Sequence, residues 1–140
     1  MHEWALAEAV VESVLEAVKK ERFTSVKEVD ISLGELQDIE IEIFEFALKK
    51  LMEKEDIFRH TKINLRVEKT LFRCRACGNE WGLKETKDID KDIREAIHFL
   101  PELSHSFIRC PKCGSPDFEV VKGRGVSIDS IRGEIDGSEN

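Results

Sequence analysis

Two matched cysteine pairs constrain this chain more than any other feature. Cys74-Arg75-Ala76-Cys77-Gly78 and Cys110-Pro111-Lys112-Cys113-Gly114 repeat one pattern, and the sequence holds no other cysteine. A Cys-x-x-Cys turn directs both sulfurs at one point. The glycine after it accepts a positive φ and leaves backbone N–H groups to hydrogen-bond the thiolates. Two such knuckles facing each other make a tetrahedral sulfur cage that suits Zn(II). A redox dithiol and a structural disulfide are the alternatives. A second Gly-flanked copy has no obvious use in thiol exchange, and reducing compartments disfavour static disulfides. With all four positions filled by protein thiolates, none is open to activate water, so the expected zinc is structural.

Composition bounds the rest. At 140 residues and 41% apolar content the chain can form one domain or two small ones. No apolar run approaches the ~20 residues that span a bilayer, and no basic segment followed by an apolar one opens the chain. This predicts a soluble, cytoplasmic protein with no membrane partner. The net charge of −7 and pI of about 5.2 weigh against binding nucleic acid, which needs clustered Lys and Arg. Charged residues reach 36%, against three Asn and one Gln, a balance associated with thermophilic proteins, some of which keep intracellular disulfides.

Periodicity places the elements. Leu6, Ala7, Val10, Val11, Val14 and Val18 share one stripe, predicting a helix over 3–20. Arg22 to Ser25 reads as a connection. Val29, Ile31 and Leu33 then alternate with polar residues as a half-buried strand that Gly34 ends. Ile41, Phe44, Leu48, Leu51 and Met52 predict a helix over 39–54 with Asp38 as its N-cap. Residues 62–73 alternate again as one strand running into the first knuckle. Between the pairs lie 32 residues, in which Ile89, Ile93, Ile97 and the following Pro101 predict a short helix over 88–98. Phe118, Val120 and Val121, then Val126, Ile128 and Ile131, read as strand segments, and the tail from Gly133 is expected to fray. The aromatics Phe72, Trp81 and Phe107 flank the knuckles and are expected to cover the sulfurs. The order predicts an α+β fold: a small three-stranded sheet with two helices, plus an inserted zinc-ribbon-like domain. The first domain would be 1–72 with 120–140, the second 73–119.

The chain opens Met1-His2-Glu3-Trp4. The α-amine of Met1 with the backbone nitrogen and imidazole of His2 can close successive chelate rings, placing three nitrogens in one plane. That geometry suits Ni(II) or Cu(II) better than Zn(II) and leaves one corner open. A bulky residue at position 2 also blocks removal of the initiator methionine. The ordinary alternative is a solvated histidine ahead of a helix.

The Met1-His2-Glu3 opening, Leu33-Gly34-Glu35-Leu36, the paired knuckles and Cys110-Pro-Lys-Cys113-Gly114-Ser115 resemble, over nearly the whole chain, the HypA family of nickel-insertion proteins. The resemblance implies a nickel-binding domain using His2, a structural zinc domain, a HypB-type GTPase partner and delivery of Ni(II) to the [NiFe]-hydrogenase large subunit. The gap between the knuckles is longer than in the bacterial pattern. For the open corner of the nickel plane, Glu3 supplies a hard oxygen better suited to orienting the site. His60 sits among charges as a solvated residue. His98, ending the predicted 88–98 helix, is the expected fourth ligand, with His105 or a packing role for His98 as alternatives. No nucleophile and base pair stands out, so no catalytic residue and no enzyme activity are expected. A zinc-ribbon adaptor binding nucleic acid or protein is the alternative function, and a thiol redox enzyme is a third.

Overall fold

Two small three-stranded sheets organise the computed structural model, which describes residues 2–86, 91–100, 105 and 108–136. The chain divides into two compact units: Met1–Ser32, Ile39–Arg66 and Ser127–Asn140 form one, Leu33–Asp38 and Val67–Val126 the other. The mixed α+β architecture is the one expected.

The first unit begins with α1, Glu3–Lys20, which buries Ala7, Val10, Val11, Val14 and Val18 and leaves Glu8, Glu12, Glu16 and both lysines exposed. A turn at Glu21 and Arg22, the latter with φ 60°, leads straight into β1, Phe23–Gly34. The strand thus starts earlier than its alternation suggests. Phe23 to Ser25 are strand rather than connection because β6, Val126–Ile135, pairs along them: Asp136 N–H donates to Arg22 O at 2.9 Å and the Thr24 hydroxyl to Glu134 O at 3.2 Å. The same pairing keeps Gly133, expected to fray, in regular strand. A Cβ there would run into the carbonyl oxygen of Ser25, so only glycine lets the two backbones approach.

Sheet order is β2-β1-β6, with β2 at Lys62–Glu68. Contacts to β1 descend along β6, from Ser32 with Asp129 to Thr24 with Glu134, so that pair is antiparallel. Contacts to β2 advance together, Val26 with Thr61 and then Asp30 with Asn64, so that pair is parallel, as the helical crossover between them requires. Val29 and Ile31 are buried on one face of β1. On the other face Asn64 Nδ2 donates to Glu28 at 2.8 Å and Asp30 at 2.7 Å, the Ser130 hydroxyl to Asp30 at 2.6 Å, and Arg132 to Glu28 at 2.9 Å. Hydrogen bonds, from Asn64 first for Glu28 and from Ser130 first for Asp30, hold both carboxyls below the usual carboxylate range. Asp129 is lowered in the same way, Ser32 donating to it first.

The crossover is α2, Ile41–Met52, which buries Phe44, Ala47, Leu48 and Met52 and packs along α1. Its expected cap is elsewhere: Asp38 has φ 50° and ends a 3-10 turn over Glu35–Gln37. Glu40 takes the N-cap position without capping through its own side chain, and its N–H is held by the carboxylate of Glu3 at 3.1 Å.

The second unit has β3, Leu71–Cys74, central between β4, Glu80–Trp81, and β5, Phe118–Lys122, both antiparallel to it. The single strand expected over 62–73 is therefore two strands in two sheets, broken at Lys69 and Thr70. Likewise Phe118 to Val121 belong to the second sheet and Val126 to Ile131 to the first. The helix expected at 88–98 is α3, Lys91–Phe99, with Ile89 and Pro101 outside the described residues. Leu36, Phe72, Trp81, Ile97, Ile108 and Phe118 form this unit's core together with Cys74 and Cys110. By compactness Leu33–Asp38, Val67 to Phe72 and Val120 to Val126 group with the cysteines, whereas the sequence-drawn division put them with the helices.

Candidate metal centres

Both knuckles are built by the same backbone hydrogen bonds. Gly78 N–H donates to Cys74 O at 3.0 Å and Cys74 N–H to Asn79 O at 2.8 Å; Gly114 N–H donates to Cys110 O at 2.8 Å and Cys110 N–H to Ser115 O at 3.0 Å. Gly78 and Gly114 have φ of 80° and 77°, and a Cβ at either would meet open space, so glycine is required there by conformation rather than by crowding. Each knuckle buries its first cysteine, Cys74 or Cys110, and exposes its second, Cys77 or Cys113.

The two turns bring all four Sγ atoms within 4.8 Å of one another. Cys74 and Cys113 sulfurs lie 3.5 Å apart and those of Cys77 and Cys110 3.7 Å. A tetrahedron of Zn–S bonds of about 2.3 Å has edges of about 3.8 Å, so the donors fit that ion. The separations are far longer than the ~2.05 Å of a disulfide, and all four cysteines are free. Cys77 N–H points at Cys74 Sγ at 3.4 Å, and Asn79 Nδ2 at Cys110 Sγ at 3.8 Å. Burial works to raise the Cys110 thiol, but the N–H groups of Cys113 and Lys112 outweigh it and bring it to about 6. The Ser115 N–H works to lower Cys113, yet the Cys74, Cys77 and Cys110 sulfurs and burial push it up to about 12. Four thiolates cannot ionise together without a cation among them, which is what a divalent metal supplies.

Aromatic rings back the cage. Phe72 lies 5.4 Å from Trp81 and 5.2 Å from Phe118, and Trp81 lies 5.5 Å from Phe118, centroid to centroid. Phe72 and Trp81 fill the place expected of them. Phe107 falls outside the described residues, and Phe118, read from sequence only as a strand residue, supplies the third ring by pairing with Cys74 across the sheet. On the exposed face Arg73 bridges Glu80 at 2.7 Å and Glu119 at 3.3 Å, and Arg75 meets Asp117 at 3.0 Å. Such exposed pairs each contribute little, but they sit in register beside the first knuckle.

The expected nickel residues are more dispersed. Met1 and the side chain of His98 lie outside the described residues. His2 is exposed and occupies the N-cap position of α1, its carbonyl receiving the Leu6 N–H at 2.9 Å. Glu3 is buried, at 4% exposure. Burial works to raise its pKa, but hydrogen bonds, that of the Glu40 N–H included, outweigh it and hold the carboxyl at about 2. Sequence reasoning misses the link to Glu40, since an acid in a first helical turn has an ordinary explanation in the helix dipole. His105 stacks on Phe118 at 4.3 Å, and its Nδ1 donates to Pro116 O at 2.9 Å, because that carbonyl can only accept. His60 is exposed.

Fold and sulfur cage together define a small α+β protein with a four-cysteine metal centre. Residues 1–133 match the family described as HypA, the hydrogenase/urease nickel incorporation metallochaperone. The chain is 51% identical over 140 residues to the hydrogenase maturation factor HypA of Pyrococcus abyssi, covering 99% of this chain and 100% of the relative. It is 30% identical to that of Methanopyrus kandleri, over 100% of this chain and 98% of the relative. The fold matches the solution structure of the Ni metallochaperone HypA from Helicobacter pylori with a TM-score of 0.64 and 17% identity, covering 97% of this chain and 100% of that one. This chain belongs to the HypA family, whose members are maturation factors rather than catalysts. Among the described residues no helix is long and apolar enough to cross a membrane.

Proposed function

We propose that this protein is a nickel metallochaperone that binds Ni(II) as cargo at the start of its chain and, with a HypB-type GTPase, delivers it to the [NiFe]-hydrogenase large subunit in the cytoplasm. Membership of the HypA family carries this reading. The Met1 amine, the His2 backbone nitrogen and the His2 imidazole supply the planar donors, and His98 supplies the fourth. The placement of His2, exposed just ahead of α1, supports an exchangeable site. Glu3 orients it: a carboxylate engaged by the Glu40 N–H would have to give up that bond to become a ligand. Cys74, Cys77, Cys110 and Cys113 hold structural Zn(II), for which the sulfur separations fit and which leaves no vacant position for exchange.

The chelate requires the native chain start. Any residue added ahead of Met1 turns its amine into an amide, so tagged protein should bind Ni(II) at least about tenfold more weakly than untagged protein, a difference of about 1.4 kcal/mol. His2→Ala should abolish the planar absorption signature, and His98→Ala should shift it without changing zinc content. Calorimetry that gave one affinity for tagged and untagged protein would rule out the chelate.

A further inference from the structure

One surface of the first unit departs from the pattern that builds it. The buried stripe of α2 is Phe44, Ala47, Leu48 and Met52. Ile43 and Phe46, three residues apart on the outward side, make a second apolar stripe and are 40% and 55% exposed. Trp4, in the first turn of α1, is 46% exposed and meets Phe46 edge-on, ring centroids 6.2 Å apart. Lys50 places its ammonium 5.5 Å from the centroid of the Phe46 ring. None of this is needed to close the core. A charged residue at position 43 or 46 would favour helix at least as well and leave no apolar area in water. A clustered, exposed Trp and Phe is instead the composition of a binding hot spot.

We infer that Trp4, Ile43 and Phe46 form the docking surface for the protein that exchanges nickel with this one, an inference that rests on the nickel reading above. Ligand exchange requires a partner's donor atom to come within bonding distance of an ion held at His2. Trp4 is two residues from His2, so a partner reaching the open coordination position covers the surface around Trp4. The rim specifies the partner's chemistry. Glu8 lies one turn beyond Trp4 on α1 and Glu42 one turn before Phe46 on α2; both are exposed, in a chain of net charge −7. The fitting partner carries an aliphatic or aromatic side chain that seats against Trp4 and Phe46, flanked by Lys or Arg. A second copy of this chain brings the same acidic rim and is repelled.

The test titrates the HypB-type GTPase into untagged, full-length, nickel-loaded protein and follows Trp4 fluorescence; Trp81, already buried, adds a constant background. Wild type should show a blue shift on binding. Phe46→Ser and Ile43→Ser, both surface changes, should each raise the Kd about tenfold or more, and Glu42→Lys should raise it and weaken its salt dependence. All three should keep the wild-type nickel affinity by calorimetry and the wild-type circular dichroism. Unchanged GTPase affinity in Phe46→Ser with nickel binding intact would overturn the docking surface and leave the nickel reading standing. Failure of wild type to bind nickel would overturn both. Should Phe46→Ser abolish self-association in sedimentation and leave GTPase binding alone, the surface belongs to copies of this chain and the inference is wrong.

Discussion

The two units bury apolar surface in different ways. In the first, Val10, Val14 and Val18 of α1 and Phe44 and Leu48 of α2 are buried by helical and strand periodicity alone. In the second, Phe72, Trp81 and Phe118 close around two of the four cysteines, so that Cys74 and Cys110 belong to the core and to the cage at once. One region depends only on its side chains, while the other has a bound ion's donors built into its packing. Stability in the second unit is therefore linked to metal, and in the first it is not.

The largest test of that contrast is Cys113→Ala. A structural zinc site carries an apparent ~10–16 kcal/mol, so losing one ligand should release the metal and expose Val67–Val126 to protease while α1 and α2 stay protected. Equal proteolysis of both units, or of neither, would dissolve the distinction. Paired core truncations sharpen it. Phe44→Ala and Phe118→Ala should each cost about 3–5 kcal/mol, but only Phe118→Ala should also speed zinc loss to a chelator. If both mutants lost zinc at one rate, the cage would not depend on its aromatic backing.

A smaller effect is expected at Glu3. Glu3→Ala leaves the Glu40 N–H without its partner and should destabilise the first unit by about 1–3 kcal/mol, with faster amide exchange confined to the start of α2. Smallest is the acid response of the first sheet. The carboxyls of Glu28, Asp30 and Asp129 are lowered by the fold, so they stabilise it above the unfolded values of about 4 and lose that contribution as pH falls through their folded values. Exchange of β1 amides should quicken on acidification below about pH 4, and Asn64→Leu should flatten that dependence.

What is legible in the sequence follows the range of the signal. The sulfur cage can be read because each knuckle is local and only one partner pair exists, and α1 because six apolar residues hold one stripe. The break between β2 and β3 cannot. Val67 and Leu71 continue the same period across Thr70, and alternation records which side a residue faces, not which sheet it joins. Asp38 misleads for a related reason: a short acidic residue before an apolar run suits an N-cap and a left-handed turn alike. Glu3 is not legible as the clamp on α2 because its partner lies 37 residues away and is a backbone N–H. Phe118 escapes because its role comes from pairing with Cys74.

The sheet order β2-β1-β6 bears on synthesis. A chain that has emerged from the ribosome as far as Val126 holds every residue of the second unit, including all four sulfurs, which are complete by Cys113. The first unit at that moment has both helices but only two of its three strands, since β6 ends at Ile135. The sulfur cage can therefore take its ion while the domain that begins the chain still waits for its last strand, so the end of translation seals the half that started first.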